Sequence, residues 1–445
     1  MRGLPLLVIA VALVAGCTST PPSATVSPAA TLPQAAFARV ISVIDPSGGQ
    51  GEPSMGIAPD GTLYANGLAG TGGRDPGAVY RSLDNGTTWE RIGTPTAPMP
   101  NFDPDLAVAR DGTVWFSSLW LGCSSTAASK DAGKSWTTSY LGCVPAAGDR
   151  QYVIPTKGGT AYIYSHHVPT LYQAVAKTTD YGATWTPSGF AEGGPLAIAQ
   201  NGQSGWGGGG FWNEKTGSVF ATFTWYSDIV ANNAGTATTS WLPAAGVTRD
   251  EGKSWQLATA PSAGGVAVGL GLVVGAADEA GNVYLSWAEA KQKQMTVYLA
   301  VSKDDGKTWS KPIVVDDDAG SKVFPAIAAG DAGRVAIAYY HADQHDYPSN
   351  VPKDTHWNVT LAWTADALNG TPTWERANLS THSARTGPIC PDGSTCQGNR
   401  QLLDYFALKV TPQGRVASVW TSTDDVAGKT VNVFGMTETP LLRAS

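Results

Sequence analysis

Five carboxylates, three guanidiniums and two indoles are the side chains of this sequence best suited by type and setting to do chemistry. They are Glu52, Asp103, Asp105, Asp149 and Asp404, then Arg74, Arg150 and Arg400, then Trp206 and Trp212. Most stand in short polar groups just ahead of an apolar run: Glu52-Pro53-Ser54, Asp103-Pro104-Asp105, Asp149-Arg150-Gln151, and Asn399-Arg400-Gln401 followed by Asp404. Cleavage of a glycosidic bond commonly uses two carboxyl groups on opposite sides of the bond, one with a raised pKa as proton donor. Planar guanidiniums bind carboxylates bidentately, and aromatic faces stack on sugar rings. These residues therefore point to carbohydrate chemistry, with a glycan or other anionic ligand expected at the arginines. The same acids and arginines would also serve to cap strands, and the indoles to fill a core.

Other chemistries find less support. There is no Gly-rich phosphate loop and no Ser nucleophile elbow. The stretch holding His341, His345 and His356 reads as a polar loop over a channel, and Asp316-Asp317-Asp318 as a solvated acidic turn. No cofactor or metal is expected. With 29 basic and 36 acidic residues the formal net charge is −7, and no basic run exists, which excludes nucleic acid as a partner.

The elements that must hold these residues are strands. The 445 residues include 52 Gly and 29 Pro, which are costly inside helices and supply turns. One turn pattern recurs at fixed internal spacing: SLDNGTTW (Ser82 to Trp89), SKDAGKSW (Ser129 to Trp136), TTDYGATW (Thr178 to Trp185), TRDEGKSW (Thr248 to Trp255) and SKDDGKTW (Ser302 to Trp309). A looser copy, TADALNGTPTW, runs from Thr364 to Trp374. Asp accepts hydrogen bonds across a tight turn, Gly supplies a positive φ, and Trp buries a large face. A second signal, a glycine turn followed by an alternating apolar strand, recurs at Gly61, Gly112, Gly159, Gly217, Gly281, Gly333 and Gly414. Two hairpins per unit make four strands, and four-stranded units repeated around an axis make a β-propeller. Seven blades are expected, with six as the alternative. The last blade supplies three strands of its own, so Phe37 to Ile44 is expected to complete it and close the ring.

The five full turns, with acids at Asp84, Asp131, Asp180, Asp250 and Asp304, resemble the Asp-box or bacterial neuraminidase repeat of the sialidase-like superfamily. That resemblance implies peripheral boxes with a structural job and a ligand pocket at the centre of the propeller. Sialidases also carry a Phe/Tyr-Arg-Ile-Pro motif, an arginine clamp for a carboxylate, and a Tyr nucleophile paired with Glu. Here Phe37-Ala38-Arg39-Val40 departs from the motif, while Arg74, Arg150 and Arg400 are the arginines best placed for a clamp, and Tyr152 and Tyr405 follow inner-strand starts. The implied function is a glycan binder or exo-acting glycosidase. A noncatalytic propeller holding a protein or peptide partner is the reading from another class, since fold alone does not decide function.

The N-terminus adds an address. Arg2, an apolar run from Leu4 to Val14, and Val14-Ala15-Gly16-Cys17 read as a secretory signal over residues 1–16, and Cys17 resembles the acylated cysteine of a bacterial lipobox. Residues 17–36, rich in Pro, Ser, Thr and Ala, read as a tether, and residues 37–445 as the propeller. The chain is then expected outside the cytoplasm, held at the membrane by lipid alone and acting as a monomer. The remaining cysteines form an even set, expected to pair as Cys123 with Cys143 and Cys390 with Cys396.

Overall fold

Seven times along the chain an inner strand turns through a glycine into a long buried strand, and two further antiparallel strands complete the sheet. A computed structural model describes residues 39–69, 75–93, 95, 102–120, 122–141, 148–193, 202–227 and 240–444. Blade 1 runs Met55–Ile57, Leu63–Ala69, Asp75–Ser82 and Glu90–Gly93 from the axis outward. Blades 2, 3, 4 and 6 repeat that order, beginning at Phe102–Val108, Gly148–Pro155, Gln203–Trp212 and Lys322–Ala329. In blade 5 the inner position is split between Val266–Ala267 and Val274–Ala277. Blade 7 runs Ala407–Val410, Val416–Ser422 and Val431–Thr437, then takes Arg39–Val43 as its outer strand. The protein is a seven-bladed β-propeller closed by its N-terminal strand, as the repeat count implied.

The second strand of each blade is buried on both faces because neighbouring sheets stack on it. Val335–Ala342 and Val416–Ser422 accordingly read as nearly unbroken apolar or small residues. Trp115, Trp287, Trp357 and Trp420 fill the spaces between blades and are fully buried. Blade 4 solves a tighter problem. A Cβ at Gly208 would stand 2.1 Å from the Val273 carbonyl oxygen, so the glycine run of Gln203–Trp212 lets blades 4 and 5 approach near the axis.

The Asp turns rivet this ring together. In each full copy the Asp accepts the hydroxyl of the Ser or Thr two residues before it and both the backbone N–H and hydroxyl of the residue four after, as Asp304 does from Ser302 (2.8 Å) and Thr308 (2.8 and 2.6 Å). The following two residues are left-handed, for example Asp305 at φ 62° and Gly306 at φ 79°. Three copies also reach the preceding blade through one hydroxyl. Ser42, Ser139 and Ser188 donate to the carbonyls of Gly86, Gly182 and Gly252, while Trp89, Trp185 and Trp255 donate back to those same hydroxyls. All five turns lie at the end of the propeller where inner strands finish.

Elsewhere two expectations change. The Asp316-Asp317-Asp318 turn is not simply solvated. Asp316 ends the outer strand Ile313–Asp316, is fully buried, and accepts from Tyr339 and Arg376 at 2.6 Å each, with Lys322 Nζ at 3.7 Å. His341 lies in the strand Val335–Ala342 beside the same carboxylate, 3.7 Å away, instead of in a loop over the channel. Cys390 and Cys396 form a disulfide, whereas the pairing of Cys123 with Cys143 falls on Cys143, outside the described residues.

Hydrogen bonds from the turns hold the carboxyls of Asp84, Asp131, Asp180 and Asp250 down at about 2, and Asp304 reaches about 2 against some burial. A depressed carboxylate stabilises the fold above its unfolded pKa of about 4 and stops doing so as the pH falls through its folded value. Acid titration followed by near-ultraviolet circular dichroism is therefore expected to show stability draining between pH 4 and pH 2. Asp304→Ala is expected to lower the melting temperature by about 2–4 °C at neutral pH while leaving any ligand binding intact.

Candidate functional site at the mouth of the channel

At the opposite end the seven inner strands begin, and five of them enter irregularly. The backbone takes one left-handed residue at the same place in blade after blade: Glu52, Asp103, Arg150, Phe324 and Leu403 have φ between 44° and 59°. Register shifts mark the same positions in blades 2, 3 and 6. Pro53, Pro104 and Pro325 follow three of them, tolerated because an inner strand is a sheet edge with a free donor side. Each left-handed non-glycine residue costs roughly 1–3 kcal/mol, and such strain tends to collect at functional sites. Its effect is to turn Glu52, Asp103 and Arg150 toward one another.

Arg150 and Asp404 form the centre. Arg150 Nη2 donates to Asp404 Oδ2, and Arg400 Nη2 donates to the same oxygen from four residues away. Glu52 Oε1 stands 4.0 Å from Arg150 Nη2. The Arg150 guanidinium lies over Tyr405, 5.6 Å from the ring centroid, and over Trp206 at 6.0 Å. Gln151 Nε2 donates to the Asp103 carbonyl, and the Tyr405 hydroxyl donates to that of Pro104 at 3.0 Å. Glu52, Arg150, Gln151 and Asp404 are buried, Arg400 retains about a third of its side-chain exposure, and Asp103, Asp149 and Trp206 are half-buried at the mouth. Blades 1, 2, 3, 4 and 7 thus meet in one ionic plug.

Electrostatics separates the carboxyls by role. Burial raises Glu52 well above the ordinary range, helped by the charges of Asp103 and Asp404 and opposed by Arg150. Burial also lifts Asp149 to about 6, with the charge of Asp103 and a hydrogen bond to it adding to the effect. Burial would raise Asp404 too, but the guanidiniums of Arg150 and Arg400 outweigh it and hold the group below its usual value. The charge of Asp103 bears on both Glu52 and Asp149, so one carboxyl group favours the protonated form of two others.

The remaining candidates fall elsewhere. Asp105 accepts from Ser54 Oγ and from the Val153 N–H, 2.8 Å each, and so latches blades 1, 2 and 3 on the channel side of the plug. Trp212 ends the strand that Trp206 enters, six residues and about 20 Å further down the axis. Arg74 lies outside the described residues. Below the plug the channel has a volume of about 950 Å³, with Lys409 in its wall and the Arg110–Glu214 and Arg443–Glu279 pairs at its far rim.

Several residues of the site carried no sequence signal. His166 packs against Trp206 with the rings tilted at 47° and 4.7 Å between centroids, and is pushed down to about 4 by burial. Gln173 reaches it at 3.2 Å, and Glu192, which burial lifts to about 7, accepts the Gln173 N–H at 2.8 Å. A polar residue inside Ala161–His167, otherwise an apolar second strand, was the one available hint for His166.

No family model matches this chain, and no curated protein matches it. Solved structures do. An ulvan lyase, bound to -[GlcA(1-4)Rha3S]- in one structure, superposes with TM-score 0.55 at 12% identity, covering 92% of this chain and 98% of that one. An α-L-arabinofuranosidase of Fusarium graminearum in complex with arabinobiose gives 0.48 at 14% identity over 90% and 97% of the two chains. A protein of unknown function from Dyadobacter fermentans gives 0.48 at 15% identity, covering 89% and 97%. The shared property is the propeller fold.

Removing Arg150 would leave Asp404 buried with half its compensation. Arg150→Leu is therefore expected to cost about 3–5 kcal/mol in urea unfolding, and Arg150→Leu combined with Asp404→Leu to recover part of that loss.

Proposed function

We propose that this chain is an extracytoplasmic, sialidase-like propeller that binds glycans at its mouth and hydrolyses them as an exo-acting glycosidase. The observation that carries the reading is the gathering of Glu52, Asp103 and Asp149 at the mouth, beside two guanidiniums and the Trp206 face. Asp149, half-buried and lifted to about 6, is the proton donor for the departing glycosidic oxygen. Asp103 keeps that proton in place, and Arg150 and Asp404 position the floor on which the sugar rests.

Anchorage through Cys17 fits this placement. The described chain begins at Arg39, which pairs with Thr437 at the Asp-turn end, so the segment before it joins the body on the side away from the mouth. A lipid at Cys17 would then turn the mouth outward, toward glycans beyond the membrane.

The test is release of reducing sugar from a panel of cell-surface and plant-type polysaccharides. Because the acid must hold its proton, the rate is expected to be full below pH about 6 and to fall about tenfold per unit above it. Asp149→Asn is expected to lower the rate about 10²–10⁴-fold without a change in melting temperature. The sealed state of Glu52, Arg150 and Asp404, which tie blades 1, 3 and 7 together, favours the second reading of a noncatalytic scaffold for a protein or peptide partner. That reading gains if no substrate is cleaved by the folded protein.

A further inference from the structure

We infer that the mouth is built for a neutral sugar ring presenting neighbouring hydroxyl groups, and not for a uronic or sialic acid. The inference rests on the glycan reading above and narrows it.

The first ground is that both guanidiniums are already engaged. Arg150 and Arg400 converge on one oxygen of Asp404, which is fully buried on the blade 7 inner-strand start. A ligand carboxylate seeking the N–H groups that face Asp404 must displace it, and Asp404 is fully buried. The displaced carboxylate would be left buried without its cations, a loss large enough to cancel the new ion pair.

The second ground is the charge count. Among the described residues the mouth brings four carboxyl groups, Glu52, Asp103, Asp149 and Asp404, against the guanidiniums of Arg150 and Arg400. The two acids nearest water, Asp103 and Asp149, stand where a ligand arrives. Above pH about 6, where Asp149 ionises, an added anion would meet its negative charge at the mouth instead of a cationic clamp.

The third ground is the kind of hydrogen bonding left unfilled. Asp404 Oδ1 and Gln151 Oε1 are acceptors without a hydrogen-bond partner, and Arg150 Nη1 and Arg400 Nε are donors without one. A carboxylate accepts only, and could answer the two donors but neither acceptor. A sugar hydroxyl donates and accepts, so neighbouring hydroxyls match such a mixed set through an intervening water, the four atoms themselves being buried. Trp206 lies against Arg150, and Phe102, next to Asp103 in the chain, is 39% exposed. Both suit the apolar face of an uncharged ring.

The experiment is calorimetric titration of the full-length chain in detergent with methyl glycosides of neutral pentoses and hexoses, and with methyl glucuronide, methyl galacturonide and N-acetylneuraminate. Each is titrated at low and at high salt. Saturable binding of a neutral glycoside that is insensitive to salt, with none by the acidic sugars, is the expected result. Asp404→Asn is expected to weaken the neutral sugar at least tenfold and to let acidic sugars bind by freeing the arginines. Should Asp404→Asn fail to fold, Trp206→Ala, outside every ion pair, is expected to weaken the neutral sugar about tenfold. An acidic sugar bound more tightly than any neutral one, with affinity falling as salt rises, would overturn the inference and leave the glycan reading standing. A folded protein that binds neither class would overturn both.

Discussion

Everything at the axis depends on a five-residue strand supplied by the far end of the chain. Arg39–Val43 pairs with Val431–Thr437, and that ladder alone turns seven stacked sheets into a closed ring. Closure does more than remove the unpaired edges of the first and last blades. It fixes the distance between blades 7 and 1, and therefore the distances among blades 7, 1, 2 and 3, whose inner strands carry Asp404, Glu52, Asp103 and Arg150. An ion pair between residues 254 positions apart is possible only because the ring returns one to the other.

The two ends of the propeller then do different work. At the Asp-turn end, hydrogen bonds are short, repeated and open to water, and they lower the acids that accept them. That end supplies adhesion between blades at little electrostatic cost, because the carboxylates stay hydrated. At the mouth the same residue type is buried, crowded and set against like charge, and Glu52 and Asp149 rise instead. Asp149 and the turn aspartates therefore differ by several units of acidity, and Asp404, paired with two guanidiniums, is the exception at the mouth. Strain follows the same division. The left-handed residues of the turns are followed by glycine, whereas those at the mouth are Glu, Asp, Arg, Phe and Leu, held there by the surrounding sheets.

Much of this was legible beforehand, and the reasons are local. The turn pattern from Ser302 to Trp309 closes on itself within eight residues, so its meaning did not depend on the rest of the chain. The glycine hairpins repeat for the same reason, and counting them yields the blades. The polar groups at Glu52, Asp103, Arg150 and Asp404 could be placed at inner-strand starts because each precedes an apolar run. Three placements were beyond such reasoning. Asp105 is two residues from Asp103, yet the left-handed backbone at Asp103 and the register shift there send it to Ser54 and Val153. Trp206 and Trp212 look like neighbours in a glycine run, yet an extended strand carries them to opposite ends of the channel. Asp316 looks like part of a solvated acidic turn, yet the adjoining blade surrounds it with Tyr339, Arg376 and Lys322.

The sequence by itself determined the repeat, the strand order within a blade, the turns that rivet neighbouring blades and the strand that closes the ring. All of these are set by short-range chemistry: a glycine's φ, a carboxylate's hydrogen bonds, the alternation of apolar residues. Only the tertiary structure decided which charges meet and in what state. Arg150 and Arg400 look free to take an anion when read one at a time. Their engagement by Asp404, and the raised pKa values of Glu52 and Asp149 beside Asp103, arise from distances across the axis and from exclusion of water, which no single stretch of chain contains.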